Sequence, residues 1–129
     1  MLSTVRMKSI FQHYIDGFER ADAQAVIALF AEDASIEDPV GSKAHVGRAA
    51  IVDFYNKAIA AETIVKVRGP IRGAPHGNAL AVVLETLEPT AKGLEVYSRI
   101  DVFRFHDSEK IISRQSFYGP DDLLLVTPG

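Results

Sequence analysis

The sequence predicts an α+β domain in which helices precede a sheet. Apolar residues recur at helical spacing between positions 10 and 60, whereas the chain after Thr63 consists of β-rich runs separated by Gly, Pro, Asn and Asp. Helices first and a mostly antiparallel sheet afterwards is the pattern of the α+β class. A sheet that curls around the helices would enclose a pocket between the two layers.

Three helices are predicted in the first half of the chain. Each has one apolar stripe, with polar residues on the opposite face. Asp22 is placed to cap the second helix, and the third covers residues 48–60. The stripes consist of Ile10, Phe11, Tyr14, Ile15 and Phe18 in the first helix, Val26, Ile27, Leu29 and Phe30 in the second, and Ile51, Phe54, Tyr55 and Ile59 in the third.

A short strand at 34–38 carries an acidic residue at its end. Pro39 stops this strand, because the residue before a proline favours an extended backbone. Ile36 and Asp38 share one face, and Glu37 points the other way. If Ile36 faces the core, Asp38 faces the pocket, which suits a general base. The alternative is a carboxylate that makes a backbone turn beside Pro39.

Further strands are predicted where β-rich runs lie between turn signals. Gly69-Pro70 and the segment 73–78 have the composition of turns. The tail from Pro120 is expected to be loosely held, although residues 123–126 are apolar enough to dock on a neighbour. The predicted strands of the second half are 64–68, 79–87, 94–105 and 110–118.

Length and composition bound the function. A chain of 129 residues predicts one domain, residues 1–129. The formal charge of -3 gives no basic surface for nucleic acid, and no apolar run reaches the roughly 18 residues of a membrane span. With no cysteine there is no thiol nucleophile, and the four histidines lack the spacing of a metal site. A cytoplasmic protein is therefore expected.

Asp101 is a second acidic residue inside an apolar segment, and it shares a strand face with Arg99. A hairpin loop at 106–109 places Arg114 directly opposite Asp101, with Cβ atoms roughly 5 Å apart. Two guanidinium groups would then flank one carboxylate and favour its charged form. The same register places Ser116 opposite Arg99 and Tyr118 opposite Tyr97.

A family resemblance is carried by five segments of the chain. They are His-Tyr-Ile (13–15), the run 29–41 containing Glu-Asp-Pro, His-Val-Gly-Arg (45–48), Phe-Tyr (54–55) and Arg-Ile-Asp-Val-Phe-Arg-Phe (99–105). Over nearly its whole length the chain resembles the ketosteroid isomerases, within the SnoaL-like and nuclear-transport-factor-2-like superfamily. The resemblance implies a cone-shaped fold, with N-terminal helices packed on a curved, mixed, mostly antiparallel sheet. It also implies a homodimer and no cofactor.

The resemblance assigns a role to each residue of a catalytic set. Asp38 would move a proton between two carbons of an unsaturated ketone, while Tyr14 and a protonated Asp101 would donate hydrogen bonds to the dienolate oxygen. Tyr55 matches a tyrosine that supports Tyr14. Phe30 stands where some members have a further tyrosine, so the network would be shorter. Without the family resemblance, the pattern predicts that Tyr14 is a core tyrosine whose hydroxyl donates to a backbone carbonyl.

The two arginines depart from the family, which has apolar residues at both positions. A neighbouring cation opposes the proton that the isomerase role requires on Asp101. Three outcomes are open. Arg99 and Arg114 turn out of the pocket, they form a structural ion pair with Asp101, or they bind an anionic group of the substrate.

The leading hypothesis is an isomerase that shifts a carbon–carbon double bond through a dienolate. The substrate would be a steroid-like or other hydrophobic carbonyl compound, neutral or anionic. A superfamily hydrolase of the epoxide-hydrolase type is an alternative, since such enzymes use Asp-Arg-Asp, but the last strand supplies no second Asp. A non-catalytic binder of a small anionic or aromatic metabolite is the third. The expected pocket wall is Phe18, Val26, Phe54, Val82, Leu84, Tyr97, Phe103 and Tyr118.

Overall fold

The computed structural model describes residues 1–128, in which three α-helices pack on one face of a seven-stranded sheet. Short 3₁₀ turns lie at Pro75–Gly77 and Pro120–Asp122. The elements are α1 (Thr4–Glu19), α2 (Ala23–Ile27), β1 (Phe30–Glu37), β2 (His45–Val46), α3 (Arg48–Ala60), β3 (Ile64–Ala74), β4 (Ala79–Thr90), β5 (Gly93–Phe105), β6 (Ile111–Phe117) and β7 (Leu123–Val126).

The first two helices begin at polar caps and make a close contact with each other. The Ser3 side chain accepts a hydrogen bond from the Arg6 backbone N–H, and Asp22 caps α2 by accepting from Ala25, as predicted. At Gly17 a Cβ atom would come within 2.6 Å of Val26 Cγ2, so α1 and α2 approach each other where the side chain is absent. No helix within residues 1–128 is long and apolar enough to cross a membrane.

The sheet is mixed but mostly antiparallel. Its strand order is β2-β1-β6-β5-β4-β3. Two strands share one edge of β5, since β7 pairs with its first part and β6 with its second part. Only the pairing of β1 with β6 is parallel among the described strands. The predicted α+β class is confirmed. β6 lies between β1 and β5, so a side chain on β6 can reach residues of both neighbours.

The register between β5 and β6 differs from the predicted one. Asp101 lies opposite Ser116, and Arg114 lies opposite Phe103. The hairpin is one residue longer than predicted, since Phe105 pairs with Ile111, and an irregularity after Arg104 adds one more. A shift of two residues keeps every side chain on its predicted face. Arg114 therefore remains on the face of Asp101, one step along the strand.

Three other segments were predicted wrongly. The stripe predicted for the second helix includes Leu29 and Phe30, but α2 ends at Ile27 and Phe30 begins β1. Gly69-Pro70 and Gly73-Ala74 lie inside β3 rather than in turns, with a break in register between Val67 and Ile71. A Cβ at Gly69 would meet the Val83 side chain at 2.8 Å, so the glycine allows β3 to stay against β4. The tail is not loosely held, because Leu123–Val126 forms β7.

Candidate active site

A pocket of ≈ 410 Å³ opens between helices α1 and α3 and the inner face of the sheet, the face that the helices cover. Its inner end is charged, and much of its wall is aromatic or aliphatic. Most of the residues predicted for the site lie there. They are Tyr14, Phe18, Asp38, Phe54, Leu84, Tyr97, Arg99, Asp101, Arg114 and Tyr118.

Three residues predicted for the pocket wall belong instead to the core. Val26, Val82 and Phe103 are fully buried and do not line the pocket. Phe103 packs against the rings of Phe11 and Tyr14, with centroids 5.3 and 5.2 Å apart, so α1 covers this part of the inner face. Strand alternation identifies the inner face of a strand but not where along it the covering helix ends.

Phe30, Tyr55 and Ser116 are also fully buried outside the pocket lining. Phe30 packs against the Tyr55 ring, with centroids 5.3 Å apart. The hydroxyl groups of Tyr55 and Ser116 contact Arg114 from behind. These two polar residues therefore support the charged end of the pocket from the core side.

Several lining residues were missed from the sequence although the periodic patterns contain them. Lys57 and Ala58 follow Phe54 at three and four positions, which places them on its face of α3, and Ala61 is the residue that caps the end of this helix. Thr86 follows Leu84 by two positions on β4 and therefore shares its inner face. The other missed lining residues are His45, Asp53, Thr63, Val65 and Glu88.

Four side chains form an alternating ion-pair cluster at the inner end of the pocket, here called the charge tetrad: Asp38, Arg99, Asp101 and Arg114. Arg99 lies 2.7 Å from Asp38 Oδ1 and 3.3 Å from Asp101 Oδ1. Arg114 lies 3.0 Å from Asp38 Oδ2 and 2.9 Å from Asp101 Oδ2. Side-chain exposure is at most 11%, for Asp38. The two positive and two negative formal charges cancel, so the tetrad as a whole is neutral.

Hydroxyl groups also accept hydrogen bonds from the two guanidinium groups of the tetrad. Arg99 NH1 donates to Thr86 Oγ1 at 2.8 Å, and Arg114 NH1 donates to Ser116 Oγ at 2.6 Å. The Arg99 guanidinium also lies 4.3 Å from the centre of the Tyr118 ring. No buried side-chain nitrogen or oxygen in residues 1–128 lacks a partner. Of the three outcomes foreseen for the arginines, the structure contains the ion pair with Asp101, extended to include Asp38.

Asp38 stands at the end of β1 and faces the pocket, while Glu37 bonds to Gln115 on the opposite face. Burial opposes ionisation of Asp38, but Arg114, Arg99 and a 2.5 Å hydrogen bond from Tyr118 outweigh it and lower its pKa. Asp38 is thus a carboxylate at neutral pH, and a weaker base than an unpaired aspartate.

Two buried phenols connect the tetrad to the helix layer. The hydroxyl oxygens of Tyr14 and Tyr55 are 3.1 Å apart, and Arg114 Nε donates to the Tyr55 hydroxyl at 3.1 Å. Burial raises the pKa of both tyrosines, so both stay neutral and keep a proton to donate. A continuous chain of contacts leads from Tyr14 through Tyr55 and Arg114 to Asp38.

The tetrad contains an Asp-Arg-Asp arrangement, although no second Asp is expected for it from the sequence of the last strand. Asp38 of β1 supplies that residue, since Arg99 bridges Asp38 and Asp101. Parallel pairing with β6 brings the end of β1 to this place, with Ile36 beside Arg114 in register. That long-range pairing gives no local signal in the sequence.

Three helices packed on one face of an open, mixed sheet, with a pocket between the two layers, match the cone fold of the nuclear-transport-factor-2-like superfamily. Within it, the family model of the SnoaL-like domain matches residues 11–114, and the chain belongs to this family. The predicted family relationship is confirmed.

Individual relatives cover almost the whole chain. A steroid Delta-isomerase of Nocardioides simplex is 30% identical over 125 residues, which is 97% of this chain and 98% of the relative. The structure of SalBIII, described as an epoxide hydrolase/cyclase-like enzyme in pyran ring formation in the polyether salinomycin, is 28% identical. It superimposes with a TM-score of 0.91, covering 98% of this chain and 100% of SalBIII.

A more distant structure shares the fold. RV0760c from Mycobacterium tuberculosis, solved in complex with estradiol-17beta-hemisuccinate, is 19% identical and superimposes with a TM-score of 0.85. The match covers 93% of this chain and 98% of RV0760c. The sequence identity to the steroid Delta-isomerase, 30%, is of the same order as that to SalBIII, 28%. The geometry of the site must therefore decide between the two reactions.

Proposed function

We propose that this chain is an enzyme that opens a strained cyclic ether, such as an epoxide, with water or a hydroxyl group of the same substrate as nucleophile. The observation that carries the proposal is that Asp101 is hydrogen-bonded to both arginines. Both of its oxygens accept hydrogen bonds from guanidinium groups, so it offers no proton to a substrate oxygen. A dienolate isomerase needs that second donor.

The weak basicity of Asp38 supports the same assignment. A carbon acid beside a ketone keeps its proton tightly, so its removal demands a base whose pKa is not depressed. The proton of an attacking hydroxyl becomes acidic as its oxygen bonds to carbon, and a weaker base suffices. The paired Asp38 carboxylate therefore fits epoxide opening better than isomerisation.

The roles follow from the positions of the two polar groups. As the nucleophile's oxygen bonds to an epoxide carbon, its proton passes to Asp38, and the ring carbon–oxygen bond breaks. Tyr14 gives its proton to the released alkoxide, which becomes a hydroxyl group. Transfer of the proton from Asp38 to Tyr14 through solvent restores both. Water yields a diol, and an internal hydroxyl yields a larger cyclic ether.

The substrate is proposed to be a neutral, largely apolar compound. Phe18, Phe54 and Leu84 give the pocket apolar walls. Each guanidinium of the tetrad already binds two carboxylates, so no free cation remains there for an anionic group. The similarity to SalBIII supports an oxygenated substrate of this type.

A steroid-type isomerase is the second candidate. It is favoured by the 30% identity to a steroid Delta-isomerase over almost the full length, together with the presence of Tyr14 and Asp38. In that reaction Tyr14 would be the single hydrogen-bond donor to the dienolate oxygen. Loss of the second donor predicts a slow isomerase.

A comparison of substrates separates the two candidates. Purified protein is incubated with 1-methylcyclohexene oxide in ¹⁸O-labelled water and, in parallel, with 5-androstene-3,17-dione. We expect a diol that contains one ¹⁸O atom and no growth of the conjugated-enone absorbance. Formation of the enone without epoxide opening would contradict the epoxide-opening proposal and favour the isomerase. Heat-denatured protein corrects for spontaneous hydrolysis.

We also propose that the chain forms a homodimer through the outer face of its sheet. Val83, Ile100 and Phe117 are paired across β4, β5 and β6 and lie on the face away from the helices. Ile100 and Phe117 are each 47% exposed, and such apolar patches are typical of interfaces. The same patch on two copies satisfies a two-fold symmetric contact.

Light scattering after gel filtration tests the dimer. The wild type is expected at twice the mass of one chain, and Ile100→Asp or Phe117→Asp at the mass of one chain, because either change buries a charge at the interface. Val5→Asp is the matched control, since Val5 is an exposed apolar residue of α1. A wild type that elutes as a monomer contradicts the proposal.

A further inference from the structure

We propose that Arg114 is a positioning residue that fixes the direction of the hydrogen bond between Tyr55 and Tyr14, so that the Tyr14 proton is presented to the pocket. The proposal rests on the function above, in which Tyr14 serves the substrate oxygen. It assigns a task to an arginine that the resemblance to isomerases does not account for.

The first step concerns the Tyr55 oxygen. A guanidinium N–H can only donate a hydrogen bond, and Arg114 Nε lies 3.1 Å from the Tyr55 hydroxyl. The Tyr55 oxygen is therefore an acceptor in this contact. Arg114 is itself held by Asp38, Asp101 and Ser116, so its Nε–H is aimed at Tyr55 by bonds at the other end of the guanidinium.

The second step concerns the Tyr55 proton. Tyr55 is fully buried, and in residues 1–128 its hydroxyl bonds only to Arg114 and Tyr14. Donation to Tyr14 satisfies that proton. If Tyr14 donated instead, the Tyr55 oxygen would accept two bonds and its own proton would stay in the core without an acceptor, which is costly.

The third step gives the consequence for Tyr14. A hydroxyl has one proton, and the Tyr14 oxygen already accepts from Tyr55, so its own proton is left for another acceptor. Tyr14 lines the pocket, where a substrate oxygen or solvent can accept it. A guanidinium cannot accept a hydrogen bond, whereas a water molecule or an amide in its place could accept the Tyr55 proton and would let the two tyrosines exchange roles. Arg114 removes that ambiguity.

Neutron diffraction from crystals exchanged into heavy water tests the direction in the wild-type protein. We expect the Tyr55 deuteron on the line to the Tyr14 oxygen and the Tyr14 deuteron directed into the pocket. A Tyr14 deuteron on the line to Tyr55 would overturn the proposal. This measurement needs no turnover, so it stands even if the assigned reaction is wrong.

A double-mutant cycle on epoxide opening tests whether Arg114 acts through Tyr55. Tyr55→Phe is expected to lower kcat about fivefold, Arg114→Gln by more because it also removes the bond to Asp38, and the double variant by no more than Arg114→Gln alone. Multiplying effects would mean that Arg114 acts independently of Tyr55. If Arg114→Gln does not fold, the charge-balanced variant with Asp101→Asn takes its place, compared with Asp101→Asn alone.

Discussion

Asp38→Asn is expected to lower kcat/KM for epoxide opening by between about 10²- and 10⁴-fold, the usual contribution of a general base. Asparagine keeps the shape of the side chain but cannot take a proton from the nucleophile. Steady-state kinetics against the wild type measure the loss, and pre-steady-state mixing shows whether the chemical step has slowed.

Glu37→Gln is the matched control for this change. Glu37 is the preceding residue, but it lies on the opposite strand face and bonds to Gln115. Its replacement should leave kcat/KM within about twofold, a change too small to indicate a role in the pocket. Equal loss from both variants would mean that Asp38 acts by holding the fold.

The pH profile follows from the lowered pKa of Asp38. The base is active when deprotonated, so its limb of kcat/KM should stay flat from neutral pH down to below about pH 4, the usual aspartate range, and decline only there. A decline near pH 6 would point to another base.

Local periodicity predicted much of the fold. The third helix spans Arg48–Ala60 as expected, because its apolar stripe depends only on residues a few positions apart. The faces of β1 and β5 were also predicted, since alternation depends only on position in the strand. Alternation placed Asp38 on the face of Ile36 and Asp101 on the face of Arg99. Which of these faces is the inner one depended on Ile36 facing the core and on the catalytic role that the family resemblance implies for Asp101.

Long-range pairing limited the remaining predictions. The β5–β6 register depends on the conformation of the loop between them, where Glu109 adopts φ +72° and His106 bonds to Lys110. Nothing in the composition of that loop specifies the extra residue. The parallel pairing of β1 with β6 was equally invisible, because the two strands are separated by most of the chain.

The charge tetrad is a product of that pairing. Arg114 on β6 reaches Asp38 on one neighbouring strand and Asp101 on the other, while Arg99 closes the ring from β5. The sequence suggested two arginines against one carboxylate, and binding of an anionic substrate group was one of the three outcomes left open. Adding Asp38 makes the group neutral, and a neutral group favours a neutral substrate.

Asp101→Asn is expected to reduce the free energy of unfolding by about 3–5 kcal/mol, the usual effect of removing one partner from a buried ion pair. The Asp101 side chain is 2% exposed, and its loss leaves two arginines facing Asp38 alone. Urea denaturation followed by circular dichroism measures the change, at one fixed protein concentration because the stability of the proposed dimer would depend on concentration.

Charge balance can be separated from packing by a second substitution. Arg114→Gln added to Asp101→Asn leaves one arginine facing one carboxylate, so the double variant should lose about 1–3 kcal/mol less than the sum of the single losses. Glu85→Gln is the control, because Glu85 pairs with Arg68 near the surface and should contribute less than about 1 kcal/mol. Strictly additive losses would mean that the four charges do not act as one unit, and a neutral substrate would then no longer be favoured.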